Sequence, residues 1–288
     1  MIEVYKMGMS KYKDGVDKNS GLYEFDIIKQ EVSGFETDKN VLIILNGVRD
    51  SEDEQLFEKI KKADVTIFIM SDSIALKTSL DIINSCDYCL HQGLNYKFNE
   101  ITCEQTYSYL PELFYKHIRA EYLKKPVDMY LKFNKVLFGG NNLNRQDKFD
   151  AYQLEDPDNT LVSSLLKIYG DETVDNRIEY TKYLDVLAHY RYSLVICRDE
   201  YRNTNWLTSR FFESVAVDCL PIIDEDYDKQ CQITSKIKVD DIYGMKLYMD
   251  IMNISNNRER TLEMYHARII DRQNIFAATI WYIINRNK

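Results

Sequence analysis

Residues 41–70 read VLIILNGVRD SEDEQLFEKI KKADVTIFIM, two short apolar runs on either side of a charged segment. The runs at 41–46 and 65–70 are rich in Val and Ile, which is typical of strands buried on both faces of a parallel sheet. Between them, Leu56, Phe57 and Ile60 recur at helical spacing. Strand, helix and parallel strand form the repeating unit of a doubly wound α/β fold, so we predict that fold class.

The same alternation extends in both directions from this unit. Further strands are predicted at 2–6, 88–91 and 105–109, and a charged segment with a proline at 121–129 is predicted as a linker. A second alternation then predicts strands at 131–138, 165–169, 192–197 and 220–223, a strand or turn at 177–181, and helices at 145–154, 182–189 and 207–217. Residues 257–287 are helical by pattern. A chain of 288 residues is long for one core, so we expect two domains.

Composition predicts a soluble cytoplasmic protein. No apolar run approaches the ~18 residues of a membrane span, and the first ten residues lack the apolar core of a signal peptide. The six cysteines are therefore expected to be reduced thiols. Cys86, Cys89, His91 and Cys103 could suggest zinc, but no second Cys-x-x-Cys pair completes such a site.

Residues 209–228, SRFFESVAVDCLPIIDEDYD, indicate the chemistry most directly. Arg210 and Glu213 share one face of a helix, and an apolar strand follows that ends in carboxylates. A glutamate there could accept both hydroxyls of a ribose, and the planar, permanently charged arginine could clamp a diphosphate. The alternative is an exposed helical ion pair without a ligand.

A second segment, KVLFGGNNLNR at 135–145, is an apolar strand that runs into a Gly-Gly turn. Gly139 and Gly140 would let main-chain N–H groups approach a phosphate closely, and Arg145 would add positive charge at the start of the next helix. An ordinary strand-to-helix turn is the alternative interpretation.

Together these segments resemble the DNA β-glucosyltransferases of T-even bacteriophages, a branch of the two-domain GT-B glycosyltransferases. LVI at 194–196, TSRFFE at 208–213 and IIDEDYD at 222–228 follow in the family's order at nearly its spacing. Upstream, IFIMSD at 67–72 is similar to the strand that ends in the family's catalytic aspartate. HQGLN at 91–95 and YSYLPE at 107–112 are similar to two further family segments. The resemblance covers residues 40–235.

The resemblance implies an α/β GT-B fold of two doubly wound, Rossmann-like domains that face each other across a cleft. Residues 1–128 would bind the acceptor, residues 129–256 the UDP-sugar, and a terminal helix in 257–288 would return to the first domain. Glu213 would bind the ribose, Arg210 and Arg145 would neutralise the diphosphate, and Gly139, Gly140 and Asn141 would contact the phosphates. Asp72 would be the general base. No cofactor is required, since arginines can take the place of a metal.

The function that the resemblance implies is an inverting glucosyltransferase that protects phage DNA from nucleases. It would move glucose from UDP-glucose to hydroxymethylcytosine, or to glucose already attached to that base. Its partners would be UDP-glucose and modified double-stranded DNA, with the chain a monomer in the cytoplasm of the infected bacterium. Two departures bear on this: Asn142, Leu143 and Asn144 stand where the family carries a further arginine, and the N-terminal acceptor and sugar contacts do not align.

Two other functions stay open on the sequence. A GT-B transferase acting on a saccharide or a protein is the alternative, because Arg-Phe-Phe-Glu with Cys-Leu-Pro-Ile-Ile also resembles exostosin-like enzymes. The net charge of −9 favours it, since DNA binding needs a basic surface. Lysines at 6–13 and 59–62 could supply such a surface or be merely solvated. A binding module without catalytic activity is the third possibility.

Overall fold

The computed structural model describes residues 1–9, 20–47, 49–72, 75–93, 96–107, 110–138, 180–196, 201, 204–223, 227–228, 233–234 and 257–286. The chain divides into two compact units. Unit 1 comprises Met1–Leu113 and Gln273–Lys288, and unit 2 comprises Phe114–Arg272. Each unit contains a parallel sheet with helices, so the predicted α/β fold class is confirmed.

Unit 1 is built on a five-stranded parallel sheet in the order β1-β2-β3-β4-β5. Its strands are β1 (Ile2–Lys6), β2 (Val41–Leu45), β3 (Val65–Met70), β4 (Tyr88–His91) and β5 (Glu104–Tyr107). Every residue of β2 and β3 is buried, as their continuous apolar runs predict. Between the strands lie α1 (Ser20–Val32), α2 (Leu56–Lys62), α3 (Ala75–Thr78) and α4 (Leu80–Ser85).

The charged segment between β2 and β3 forms a helix where the apolar spacing of Leu56, Phe57 and Ile60 predicts one, and a turn precedes that helix. The segment begins as a 3-10 turn at Ser51–Gln55, and α2 starts at Leu56. The fully buried carboxylate of Asp53 accounts for the turn, because it accepts hydrogen bonds from Tyr5 Oη at 2.8 Å, from the Gly8 main-chain N–H at 3.2 Å and from that of Asp50 at 2.8 Å. Asp53 therefore ties β1 and the loop after it to this turn.

Helix α5 (Leu110–Tyr122) passes from one unit to the other. The boundary between the units falls inside this helix, between Leu113 and Phe114. The sequence predicted a linker further along the chain, at 121–129. The helix continues through the boundary because its apolar residues keep a helical spacing. Its buried apolar side chains include those of Leu110, Leu113, Phe114, Tyr115, Ile118 and Tyr122.

Unit 2 carries a parallel sheet of three described strands in the order β6-β7-β8. These are β6 (Phe133–Phe138), β7 (Tyr190–Val195) and β8 (Leu220–Ile223), accompanied by α6 (Tyr180–Ala188) and α7 (Ser209–Ala216). Helix α6 starts at Tyr180, inside the stretch predicted as a strand or turn. The elements predicted at 145–154 and 165–169 lie outside the described residues.

The C-terminal region forms two helices, where the sequence pattern predicts one helical stretch. Helix α8 (Asn257–Ile270) belongs to unit 2 and packs against α7 and β8. Its buried residues recur at steps of four, three and four: Arg258, Leu262, Tyr265 and Ile269. Turns at 271–274 separate it from α9 (Ile275–Asn285), which belongs to unit 1.

Candidate functional site

Arg210 and Glu213 lie one turn apart on α7 and form an ion pair. Arg210 Nη1 is 2.9 Å from Glu213 Oε2. The Glu213 side chain has no exposed surface, whereas that of Arg210 is 36% exposed. The alternative of an exposed ion pair is therefore wrong for the glutamate. A buried carboxylate needs partners, and an arginine open to solvent can meet an anionic ligand.

Two tyrosines of α6 complete this pair. Tyr180 Oη donates a hydrogen bond to Glu213 Oε1 at 2.8 Å, and the Arg210 guanidinium lies 4.5 Å from the centroid of the Tyr183 ring. Burial, and then the Glu213 charge, raise the pKa of Tyr180 well above its usual value, so its hydroxyl stays a donor. Sequence reasoning missed both tyrosines, because no motif marks them and α6 was predicted to begin after Tyr180.

Further hydrogen bonds fix α7 against its neighbours. Ser193 Oγ of β7 donates to Ser214 Oγ at 2.7 Å, and Ser214 Oγ donates to the Arg210 carbonyl at 2.8 Å. At the start of the helix, Tyr227 Oη donates to the Thr208 carbonyl at 3.2 Å. The residues before and after Arg210 are thus held in place by groups from outside the helix.

The carboxylates predicted after β8 are described only in part. Asp228 is buried, and its Oδ2 accepts hydrogen bonds from the main-chain N–H groups of Ile233 and Thr234, both at 2.9 Å. This carboxylate therefore shapes the loop. Residues 224–226 lie outside the described part of the chain.

Four basic side chains converge on the C-terminal end of α7, where the sequence predicted nothing. Arg119 Nη1 and His266 Nε2 each lie 2.9 Å from Asp218 Oδ1, and Arg258 Nη2 donates to the Asp218 carbonyl at 2.7 Å. Lys132 Nζ donates to the carbonyls of Val217 and Asp218 at 2.6 and 3.1 Å. Lys132 and Arg258 thereby satisfy main-chain carbonyls that a helix end leaves open, while Arg119 and His266 pair with the Asp218 carboxylate. These four residues come from distant positions, so no local pattern could have revealed them.

Burial and the neighbouring donors and charges shift the pKa values of the groups at this helix end. Burial alone would raise the pKa of Asp218, but hydrogen bonds from His266 and Arg119 outweigh it and lower that pKa. Burial lowers the pKa of Lys132 to about 8. The carboxylate of Asp218 is thus stabilised in its charged form.

In unit 1, polar side chains gather where β1, β2 and β3 end. The Asn46 side-chain oxygen accepts hydrogen bonds from the Ser71 main-chain N–H at 2.8 Å and from Ser71 Oγ at 2.6 Å. Ser71 Oγ also lies 3.2 Å from Glu24 Oε2, which is 3.8 Å from Lys6 Nζ. Asp72, the predicted base, comes next in the chain and is half-buried. The carboxyl ends of parallel strands are where α/β folds bind ligands.

The charged groups of this edge differ in their surroundings. Burial raises the pKa of Glu24, the charge of Lys6 lowers it, and Asp72 adds a further upward shift. Lys6 is buried and donates to the Asn46 carbonyl, so it is no part of a basic surface. Lys59 and Lys61 are paired with Glu3 and Glu58. Such pairing reduces the positive charge that the lysines at 59–62 offer to DNA.

His91 is the last residue of β4 and Gln92 follows it, and both are buried. Burial lowers the pKa of His91 to about 4, against a smaller upward effect of a hydrogen bond with the Gly93 main chain. The ring packs edge-on against Phe98 with centroids 5.0 Å apart. His91 is therefore a neutral residue of the core at pH 7, and the Leu94 and Asn95 that follow lie outside the described residues.

The remaining predicted donor-site residues also lie outside the described part of the chain: Gly139, Gly140, Asn141 and Arg145. Within the described residues, no group of three or more His, Cys, Asp or Glu side chains is arranged to hold a metal ion. Among the described helices, none has the length and apolar character to cross a membrane. Of the predicted donor residues, the structure thus brings Arg210 and Glu213 together in unit 2, and it places Asp72 in unit 1.

No protein-family model matches the sequence, and no curated protein matches it. Solved structures are similar in fold. A trehalose-6-phosphate synthase, OtsA, has a TM-score of 0.51 at 12% identity, over 97% of this chain and 80% of that chain. A trehalose-6-phosphate structure from E. coli bound with UDP-2-fluoro glucose has a TM-score of 0.50 at 11% identity, over 96% and 81%. A trehalose-6-phosphate synthase studied for glycosyl transfer with retention has a TM-score of 0.50 at 11% identity, over 97% and 82%. At these identities the similarity shows the fold alone, and that fold is the α/β fold of the GT-B glycosyltransferases.

Proposed function

We propose that this chain is a UDP-sugar-dependent glycosyltransferase. The observation that carries the proposal is the Arg210–Glu213 pair on α7, a buried carboxylate beside a solvent-accessible guanidinium, in a chain with the GT-B fold. Support also comes from the E. coli structure of that fold, which is bound with a UDP-sugar analogue. Unit 2 would hold the donor and unit 1 the acceptor.

Donor binding divides between the two residues of the pair. Glu213 accepts hydrogen bonds from the ribose hydroxyls, and Arg210 places its charge beside the diphosphate. Glu213 has no exposed surface, so ribose binding requires a neighbouring group to move aside. Gly139, Gly140, Asn141 and Arg145 add phosphate contacts in this proposal, which for these four rests on the sequence.

Transfer needs a base for the acceptor hydroxyl and stabilisation of the departing UDP. Asp72 takes the acceptor proton as the oxygen attacks the anomeric carbon. The C–O bond to the diphosphate breaks as the new bond forms, and the arginines hold the negative charge that develops. The outcome is inversion at the anomeric carbon. Retention, which is named for one of the structures of the same fold, is the alternative outcome.

The proposed acceptor is hydroxymethylcytosine in phage DNA, or glucose already attached to it, in the cytoplasm of the infected host. The order and spacing of the matched segments support this acceptor. A saccharide or protein acceptor is the second candidate. It is favoured by the net charge of −9, by the pairing of Lys59 and Lys61 with carboxylates, and by structural neighbours that are trehalose-6-phosphate synthases.

Mass spectrometry of reaction products distinguishes these acceptors. The full chain is incubated with UDP-glucose and unmodified, hydroxymethylated or glucosylated DNA, and in parallel with a panel of sugars and sugar phosphates. A hexose added to either modified DNA supports the phage assignment, and a hexose added only to sugars supports the second candidate. UDP binding without transfer to any acceptor would favour a binding module. The anomeric configuration of the product decides between inversion and retention.

Replacing Asp72 with Asn tests the proposed base. We expect transfer to fall by about 10²- to 10⁴-fold, the usual contribution of a general base, with UDP affinity unchanged. Asp26→Asn is the matched control, since Asp26 is an exposed carboxylate on α1 of the same unit. Unaltered transfer by the Asp72 variant would remove the base assignment and leave the donor site standing.

A further inference from the structure

We propose that Tyr180 and Tyr183 of α6 are positioning residues that set the nucleotide selectivity of the donor site. Tyr180 holds Glu213 for the hydroxyls of a ribose, and Tyr183 holds Arg210 for a diphosphate. Both assignments rest on the proposed function of the Arg210–Glu213 pair. The pair itself contacts the nucleotide, and the tyrosines act through it.

The spacing of the four residues makes α6 and α7 complementary. Tyr180 and Tyr183 are three residues apart on α6 and therefore share a face, as do Arg210 and Glu213 on α7. The tyrosines are 5% and 4% exposed, and their ring centroids lie 6.1 Å apart. Each contacts one member of the pair, through the 2.8 Å hydrogen bond to Glu213 and the 4.5 Å approach to Arg210.

Tyr180 determines which acceptor positions of the Glu213 carboxylate are occupied by donors of the protein itself. A carboxylate offers about four acceptor positions, two on each oxygen. Among the described residues, Tyr180 takes one position on Oε1 and Arg210 takes one on Oε2. Each oxygen therefore has a further position for a ribose hydroxyl once the group that covers the buried carboxylate has moved aside. Without Tyr180, the arginine could turn to the stronger two-pronged geometry with Glu213. That would use both oxygens and draw the guanidinium from the diphosphate.

Tyr183 determines where the Arg210 charge lies. A guanidinium over an aromatic face within about 6 Å of the ring centroid is attracted by the ring. Arg210 lies 4.5 Å from that of Tyr183 and remains 36% exposed. The ring therefore limits the motion of a long, flexible side chain without removing its charge from solvent.

Calorimetric titration with three probes tests both roles. UDP, 2′-deoxy-UDP and uridine are titrated into the full chain and into Tyr180→Phe, Tyr183→Leu and Tyr183→Phe. Tyr180→Phe should reduce the preference for UDP over 2′-deoxy-UDP by about tenfold, the scale of a hydrogen bond to a charged group. Tyr183→Leu should reduce the preference for UDP over uridine by about threefold or more, and Tyr183→Phe, which keeps the ring, should leave it unchanged.

Tyr115→Phe is the control for loss of a tyrosine hydroxyl in unit 2, because Tyr115 Oη lies 2.8 Å from His266 Nδ1 rather than beside the pair. Its selectivity should match that of the unaltered protein. Unchanged selectivity in both Tyr180→Phe and Tyr183→Leu, with UDP still bound, would overturn the positioning roles and leave the proposed function intact. An equal loss of nucleotide selectivity in Tyr115→Phe would also overturn the positioning roles. If the unaltered protein does not bind UDP, both the roles and the proposed function fail.

Discussion

Replacement of Asp218 separates backbone strain from charge at the end of α7. Its carboxylate has two partners at 2.9 Å, Arg119 and His266, and its main chain has a φ of 55°, in the left-handed region. Asp218→Ala loses the partners and adds backbone strain, because aspartate adopts the left-handed region more readily than alanine does. Asp218→Gly loses the partners without adding this strain, and Asp218→Asn keeps the shape and loses the charge.

The magnitudes follow from burial and backbone conformation. The side chains of Arg119 and His266 are 22% and 15% exposed, so their contacts lie between exposed ion pairs and fully buried ones. We assign about 1 kcal/mol to each contact. We assign about 1 kcal/mol to the strain of an alanine whose backbone lies in the left-handed region. Asp218→Ala should therefore lower the free energy of unfolding of unit 2 by about 3 kcal/mol, Asp218→Gly by about 2 and Asp218→Asn by about 1.

The two tryptophans of the chain provide the assay. Trp206 is 2% exposed and lies in unit 2, whereas Trp281 is 54% exposed and lies in unit 1. In a Trp281→Phe background, urea unfolding followed by fluorescence reports on unit 2 alone. Equal destabilisation by Gly and Ala at position 218 would refute the backbone reasoning. An Asn variant as stable as the unaltered protein would refute the charge reasoning.

Acid titration tests the direction in which the stability contributed by Asp218 changes with pH. The folded pKa of Asp218 is lowered, so its contribution is present above the pKa of the unfolded state and is lost as the pH falls through the folded pKa. The difference in stability between the unaltered protein and Asp218→Asn should accordingly shrink below about pH 4. A difference that grows in acid would contradict the assigned partners.

Two further predictions concern unit 1, with Trp281 as the probe in a Trp206→Phe background. A Cβ at Gly47 would lie 2.1 Å from the Met7 carbonyl oxygen, so Gly47→Ala should lower the stability by about 2 kcal/mol or more, while Gly34→Ala, with open space around it, should not lower it. Equal destabilisation by Gly47→Ala and Gly34→Ala would contradict the assigned clash with the Met7 carbonyl. Burial lowers the pKa of His91 from 6.5 to about 4. The stability that the neutral His91 ring contributes to unit 1 is therefore present above pH 6.5 and is lost as the pH falls through 4. His91→Gln should remove this pH dependence of the stability of unit 1. A variant that loses stability in acid as the unaltered protein does would contradict the prediction.

The sequence predicts the sheets of the described residues well, because a buried parallel strand leaves a local signature. The apolar runs at 41–46 and 65–70 correspond to β2 and β3, and β1, β4 and β8 have the predicted bounds. Helix limits are predicted less well where a tertiary contact decides them. Helix α6 begins at Tyr180, which bonds to Glu213 of α7, rather than at residue 182, and the apolar spacing of α5 carries that helix through the boundary between the units.

The candidate site shows the same division between local and tertiary information. Arg210 and Glu213 could be paired from their spacing alone, since residues three apart on a helix are neighbours. That Glu213 is fully buried could not be read locally, because Tyr180 reaches it from another helix. The cluster around Asp218 joins positions 119, 132, 258 and 266, and only the fold brings these residues together.

The central claim is that α7 carries a donor-nucleotide site, and calorimetric titration of the full chain with UDP tests it most directly. The unaltered protein should bind UDP at one site per chain. Glu213→Ala should lose about 1.5–3 kcal/mol of binding free energy, the scale of hydrogen bonds to a charged group, and Glu263→Ala, an exposed carboxylate of α8, should lose none. An unaltered protein that fails to bind UDP, or a Glu213 variant that binds it equally well, would contradict the claim.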